Sequence, residues 1–222
     1  HQMDNPAQVG WVSAGLSYLA FLRGEFDKAR SLADEAIDIA SNMDRATDVA
    51  YRGSVAVALS VLGHLATLAT DFVKAERFYA LARPFSRVPS SMQFITHTAW
   101  GEALLALQRN QVQEARQRLR KVLKRALEQN NPGAMSLCLP LGAVILCQAQ
   151  QWEQAAQLIG AIEQDAVTAT GWLTLWPPFA EARKALQAQL GETAYANAKQ
   201  STAQMPLQEI SIALQDALAG SA

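Results

Sequence analysis

Apolar residues recur at three- and four-residue intervals along most of the chain, and one short pattern interrupts them at regular distances. Gly24-Glu25-Phe26-Asp27-Lys28-Ala29 sets it: a turn, an aromatic or aliphatic residue, two polar residues, then alanine. It returns as Asp71-Phe72-Val73-Lys74-Ala75, Gln111-Val112-Gln113-Glu114-Ala115 and Gln151-Trp152-Glu153-Gln154-Ala155. From alanine to alanine the spacings are 46, 40 and 40 residues, within the range of helical repeat arrays. Around the first copy, Leu16, Leu19, Leu32, Ala33, Ala36 and Ile37 keep helical spacing, so 11–22 and 29–40 predict two amphipathic helices. Each copy therefore predicts a helical hairpin. Its alanine is small because the second helix crosses the first there, and Phe26, Phe72, Val112 and Trp152 are expected to close the open end. A lone hairpin cannot bury its apolar face, so the hairpins must stack.

Four hairpins are predicted, over about 7–42, 47–84, 91–129 and 134–168, followed in the same domain by capping helices over 169–222. That makes about 12 helices in all, with the terminal ones atypical. Pro84 and Pro89 bracket a loop over 85–91, and Asn130-Asn131-Pro132-Gly133 is the strongest breaker. Pro140 predicts a late start or a kink in its helix. In the tail, helices are expected over about 178–189, 192–200 and 206–218. Trp172 and Trp176 stand four apart; a helical turn between them would aim both indoles one way, over the end of the fourth hairpin near Ile159 and Ile162. The functional alternative for that pair is an aromatic ligand cage.

The repeated residues resemble the tetratricopeptide (TPR) family. Leu62-Gly63, Phe72, Ala75, Tyr79 and Ala82 stand at the places of its consensus, and the first copy supplies Leu16, Gly24, Phe26, Ala29 and Ala36. Copies three and four depart from it, with Ala103 and Ala143 in place of the glycine and Leu119 and Ile159 in place of the aromatic. A 40-residue period exceeds the usual 34 and implies longer helices, as in the repeat regions of large MalT-like and LuxR-type activators. The tail adds a second likeness. Ala155-Ala156-Gln157-Leu158-Ile159-Gly160-Ala161, Thr170-Gly171-Trp172 with Trp176-Pro177, and Leu190-Gly191-Glu192 with Tyr195 and Ala198 resemble the C-terminus of large bacterial signalling ATPases and activators, with departures at Lys199 and Thr202.

The resemblance implies an all-α, right-handed TPR-like superhelix whose ATPase and output domains lie elsewhere in a longer chain. Its inward positions transfer to Trp11, Tyr18, Phe21, His64, Thr67, His97, Trp100 and Gln108, which would line a concave face that takes a partner protein, a peptide or a small effector. The module would be a non-catalytic sensor without cofactor or metal, cytoplasmic and not itself binding nucleic acid, with homodimerisation left open. The alternative is a structural spacer or homodimerisation element in which those positions only pack between hairpins.

Composition agrees with a helical chain: half of it is apolar, 18% is charged, and 12 glycines and 8 prolines are few breakers for 222 residues. With a net charge of −1, no global basic field suggests nucleic acid and no acidic tail suggests disorder. Cys138 and Cys147, nine apart, match neither a zinc site nor a disulfide framework and predict buried reduced thiols. There is no signal-like start and no apolar run long enough for a membrane span. His1 in place of an initiator methionine leads us to expect a piece of a longer chain. No phosphate-binding Gly-Lys loop, zinc-protease motif or serine elbow is present, and His64 and His97, 33 residues apart, make a weak pattern for a base or a metal, so they are expected to be solvated or hydrogen-bonded. Residues 116–125 carry six positive charges in ten. Leu119, Val122 and Leu123 keep helical spacing, so these charges are expected to fan around the solvent side, with an acidic partner or nucleic acid as the alternative.

Overall fold

One backbone turn is used again and again. At Gly24, Thr70, Asn110 and Gln150 the chain turns through φ of 78°, 59°, 59° and 59°. The next residue's amide reaches back over the turn, as from Glu25 to Ala20 and from Asp71 to Ala66, both at 2.9 Å. This satisfies the helix's last free carbonyls. That same next residue then opens the following helix, because its carbonyl accepts from the repeated alanine: Glu25 from Ala29, Asp71 from Ala75, Gln111 from Ala115 and Gln151 from Ala155. All four alanines are 0% exposed. The computed structural model in which this is seen describes residues 6–41, 49–85, 92–164, 170–202 and 204–220, without the side chains of 6, 7, 49–51 and 92–96. Most of the 85–91 loop lies outside the described residues.

The helices are α1 (Pro6–Leu22), α2 (Phe26–Ser41), α3 (Val49–Leu68), α4 (Phe72–Ala82), α5 (Met92–Gln108), α6 (Val112–Glu128), α7 (Pro132–Gln148), α8 (Trp152–Gln164), α9 (Pro177–Gln200) and α10 (Leu207–Ala219). A short 3₁₀ helix, Gly171–Leu175, precedes α9. The fold is all-α, with no strand among the described residues. Among the described residues ten α-helices stand where about 12 were expected of the whole chain. The chain divides into two compact units, residues 1–105 with 170–172, and residues 106–169 with 173–222.

In the N-terminal unit α3 is the centre, packed against α1, α2 and α4 and buried at every position from 53 to 67. Val55 and Leu59 meet Ala40 and Ala82 in one cluster, with Ile37, Phe78 and Phe85 at its edge. Ala66, Ala75, Tyr79 and Leu105 make a second. Periodicity pointed to Leu16 and Leu19 as core residues of α1; they are 46% and 47% exposed. The buried face of α1 is instead Ala14, Ser17, Ala20 and Phe21. Because α1 is apolar nearly all round, its period could not say which side faces inward.

In the C-terminal unit α7 is the centre, buried from Ala134 to Cys147 and touching α6, α8, α9 and α10. Asn131 caps it, its side chain accepting from the Ala134 amide at 3.1 Å. The helix starts at Pro132 and runs through Pro140 to Gln148, so no late start occurs. Gly142 lies against Leu214 of α10, and Gly160 admits the Lys199 backbone near the end of α9. Gly191, at φ 73°, breaks α9 into two helical stretches. Arg116 corrects the picture of a wholly solvated basic helix. It is 5% exposed and donates to the terminal carbonyls of α10, from Nε to Leu218 and from Nη2 to Ala217, both at 2.8 Å. A cation at a helix C-terminus meets both the free carbonyls and the dipole.

Candidate functional site

Within the N-terminal unit a cluster of rings forms where α1, α3, α4 and α5 converge. Phe21 stacks on Trp172 with centroids 5.9 Å apart and lies 5.2 Å from His64. Trp100 stands edge-on to His64 at 5.0 Å and to Trp172 at 5.4 Å. All four rings are at most 1% exposed. Two helix glycines make the cluster fit. A Cβ on Gly63 would lie 2.5 Å from the Tyr79 ring, and one on Gly101 would lie 2.5 Å from His64 and 2.6 Å from Tyr79. The turn glycine Gly24 meets the backbone of Gly171 in the same way, which brings Trp172 into this unit.

Hydrogen bonds fix the protonation of the centre. The Thr67 hydroxyl donates to the Gly63 carbonyl at 2.8 Å, so in its 3.1 Å bond with Tyr79 it accepts the phenol proton. Tyr79 oxygen, 3.0 Å from His64 Nδ1, is then left to accept. His64 Nδ1 therefore carries the proton, and Nε2 is a bare lone pair that no group bonds. His97 sits edge-on to Tyr18 at 4.2 Å; the residue is partly exposed, yet its Nδ1 is buried without a partner. Burial holds His64 well below the ordinary histidine value, with the neighbouring His97 pushing the same way. Burial likewise holds His97 down, to about 4. Burial raises the Tyr79 hydroxyl against the opposing pull of Thr67. This is a neutral, closed cluster at pH 7.

The eight residues singled out from the sequence divide accordingly. Phe21, His64, Thr67 and Trp100 are buried in the cluster and presented to nothing outside it. His64 is thus hydrogen-bonded but not solvated. Trp11 is 40% exposed, and Tyr18 and His97 are partly so. Gln108 belongs to the other unit, where its side chain accepts from Trp176 Nε1 at 3.0 Å. Sequence reasoning missed Tyr79 and Trp172 as members; glycines at 63 and 101, costly inside helices, were the signal that a ring lay against each.

The two tail tryptophans part company. Trp172 completes the cluster just described, whereas Trp176 stacks on Phe179 in the C-terminal unit with centroids 6.4 Å apart. The segment between them is a 3₁₀ helix, whose three-residue period does not align positions four apart. The helical turn expected to aim both indoles one way, over the end of the fourth hairpin near Ile159 and Ile162, is thus a 3₁₀ turn instead.

Elsewhere in the C-terminal unit a pocket of about 100 Å³ lies between α8 and α10, bordered by Leu158, Leu214, Met205 and Thr202, well below the 300 Å³ or more of an ordinary ligand site. Cys138 and Cys147 are buried free thiols in α7, both raised by burial. Arg118 pairs with Glu114 at 2.7 Å and Lys124 with Glu128 at 3.8 Å on exposed helix surface, leaving Arg116 as the one inward cation of the run. No group of three or more metal-ligating residues occurs among the described residues, and no described helix is long and apolar enough to cross a membrane. No known protein-family model, curated protein or solved structure matches the chain at a significant level.

Proposed function

We propose that the chain is a TPR-like, non-catalytic interaction module of a bacterial signalling or transcription-regulatory protein, reading out a partner peptide, protein or small effector for an ATPase and output domain elsewhere in the polypeptide. The observation that carries this reading is the Tyr18–His97 pair, partly exposed and edge-on at 4.2 Å, beside the buried cluster. Trp11 lies two turns before Tyr18 on the same face of α1 and adds a second partly exposed aromatic. Rigid aromatics with an imidazole at their edge suit an apolar side chain flanked by a hydrogen-bonding group. The binding face is thus the narrower set of Trp11, Tyr18 and His97, with Phe21, His64, Thr67 and Trp100 holding it in shape. The setting we assign is the cytoplasm.

The second reading is a structural spacer or homodimerisation element, favoured by the complete burial of those last four residues. A thermal-shift panel of peptides and metabolites separates the two, because a ligand of the folded form raises its apparent stability. We expect a hit whose shift is lost in Tyr18→Ala and His97→Ala. A panel without any shift, together with full-length signalling unaffected by both substitutions, would leave the spacer reading in place.

A further inference from the structure

Four residues on one face of α5 meet the helix pair that precedes it. Thr98 shares a 2.8 Å hydrogen bond with Ser60 of α3. Gly101 lies against the His64 and Tyr79 rings, Glu102 pairs with Arg83 at the end of α4 at 2.6 Å, and Leu105 packs on Ala66, Ala75 and Tyr79. Counted back from the positive-φ turn residues Asn110 and Gly24, the same positions on α1 are Val12, Gly15, Leu16 and Leu19. All four are open. Val12, Leu16 and Leu19 are 43%, 46% and 47% exposed, and nothing lies within 4 Å of a Cβ built on Gly15. At the Leu16 and Leu19 positions of α3, Leu62 and Leu65 are each 4% exposed.

We propose that this face of α1 is an open repeat junction, built to receive a further helical hairpin of the chain's own pattern, placed ahead of α1 in the same polypeptide as α3–α4 is placed ahead of α5. The order follows from the covered cases: α3 packs on α1 and α2, and α5 on α3 and α4, so the cover in each case comes from the pair immediately before. The chemistry of the occupant follows too. It carries alanines at the places of Ala75 and Ala82, and an aromatic at the place of Tyr79 to lie over Gly15 as Tyr79 lies over Gly101. Leu16 replaces Glu102, and no residue of α1 is charged, so the occupant has an apolar residue where α4 is followed by Arg83. A second copy of α1 would bring leucines to this face instead of the alanine-and-aromatic helix that the junction takes on α5. The proposal stands on these four positions and not on any ligand at Tyr18 and His97.

The test uses Leu16→Cys, with Leu19→Cys as a second reporter; both native cysteines are buried, so maleimide labelling reads the new thiol. α1 and α5 are both 17 residues long, so a copy of residues 49–91 set directly ahead of Pro6 keeps the register. In that copy Arg83 becomes leucine. The unextended chain should label fast at every protein concentration, and the extended chain at least about tenfold more slowly, with less protection when Arg83 is kept. Unchanged labelling in an extended chain that has gained the added helix by circular dichroism would overturn the proposal, as would an added segment that gains no helix. Labelling of the unextended chain that slows with concentration, alongside a dimer mass in light scattering, would make a second copy the occupant and overturn it as well.

Discussion

Gly101→Ala and Gly15→Ala place the same methyl group at equivalent positions of two helices, and they should have opposite effects. In a helix interior alanine is favoured over glycine by roughly 0.5 to 1 kcal/mol, and at Gly15, where the added carbon meets nothing within 4 Å, that gain should be seen nearly whole. At Gly101 the methyl would lie 2.5 Å and 2.6 Å from ring atoms of His64 and Tyr79, about 1 Å inside ordinary carbon contact. Neither ring has room to withdraw: His64 is 0% and Tyr79 1% exposed, and they are tied to each other and to Thr67. Overpacking of this kind costs roughly 1 to 3 kcal/mol, so after the helix gain Gly101→Ala should lose about 0.5 to 2 kcal/mol. At about 2 to 4 °C per kcal/mol for a chain of this size, the two melting temperatures should separate by several degrees. Thermal melts and urea titrations followed by far-ultraviolet circular dichroism would measure it. A Gly101→Ala protein as stable as Gly15→Ala would refute the claim that the cluster is closed around that glycine.

The buried histidines predict acid sensitivity. Their native values lie below 6.5, so at lower pH the unfolded chain takes up protons that the native state refuses, and stability falls from about pH 6.5 towards 4 by at most about 1.4 kcal/mol per unit for each; His97→Gln should flatten a plot of melting temperature against pH, and an unaltered slope would contradict this account. Arg116→Met should free two carbonyls at the end of α10 and cost roughly 1.5 to 3 kcal/mol, seen as faster amide exchange over 207–220, whereas Arg118→Met should change little. Trp176→Ala should cost roughly 3 to 5 kcal/mol, and Gln108→Ala, which removes the acceptor of the indole N–H, roughly 1 to 3; a Gln108→Ala melt identical to the parent would show that the bond is replaced by another acceptor.

What the sequence made legible is local. The four alanines are buried because a turn of fixed form precedes each, and a turn motif with its small residue can be read within a few positions. The faces of α1 and α7 could not be read, since a helix apolar all round has no preferred side until its neighbours are known. Tertiary order likewise decided Arg116: it shares a charge run with Arg118 and Arg120, yet only its place opposite the end of α10, about a hundred residues on, turns it inward. Tyr79 and Trp172 joined the ring cluster through contacts across 15 and more residues, which neither periodicity nor a four-residue spacing reports. Thr67, His64 and Trp100 carried a groove reading from their family positions, which could not report that all three are buried.

The Gly24–Gly171 contact also sets a timetable. Trp172, which completes the first ring cluster, lies 67 residues beyond Leu105, the end of the unit's main segment. During synthesis the main segment, with Phe21 and Trp100, is complete before the ring that covers them is made, by roughly 3 to 13 s at about 5 to 20 residues per second. Over that interval the early helices hold an uncovered aromatic surface while the α7-centred unit is still being translated. A nascent chain released after Leu105 should therefore be bound by holdase chaperones, and one released after Trp172 should escape them once Gly171 has docked against Gly24.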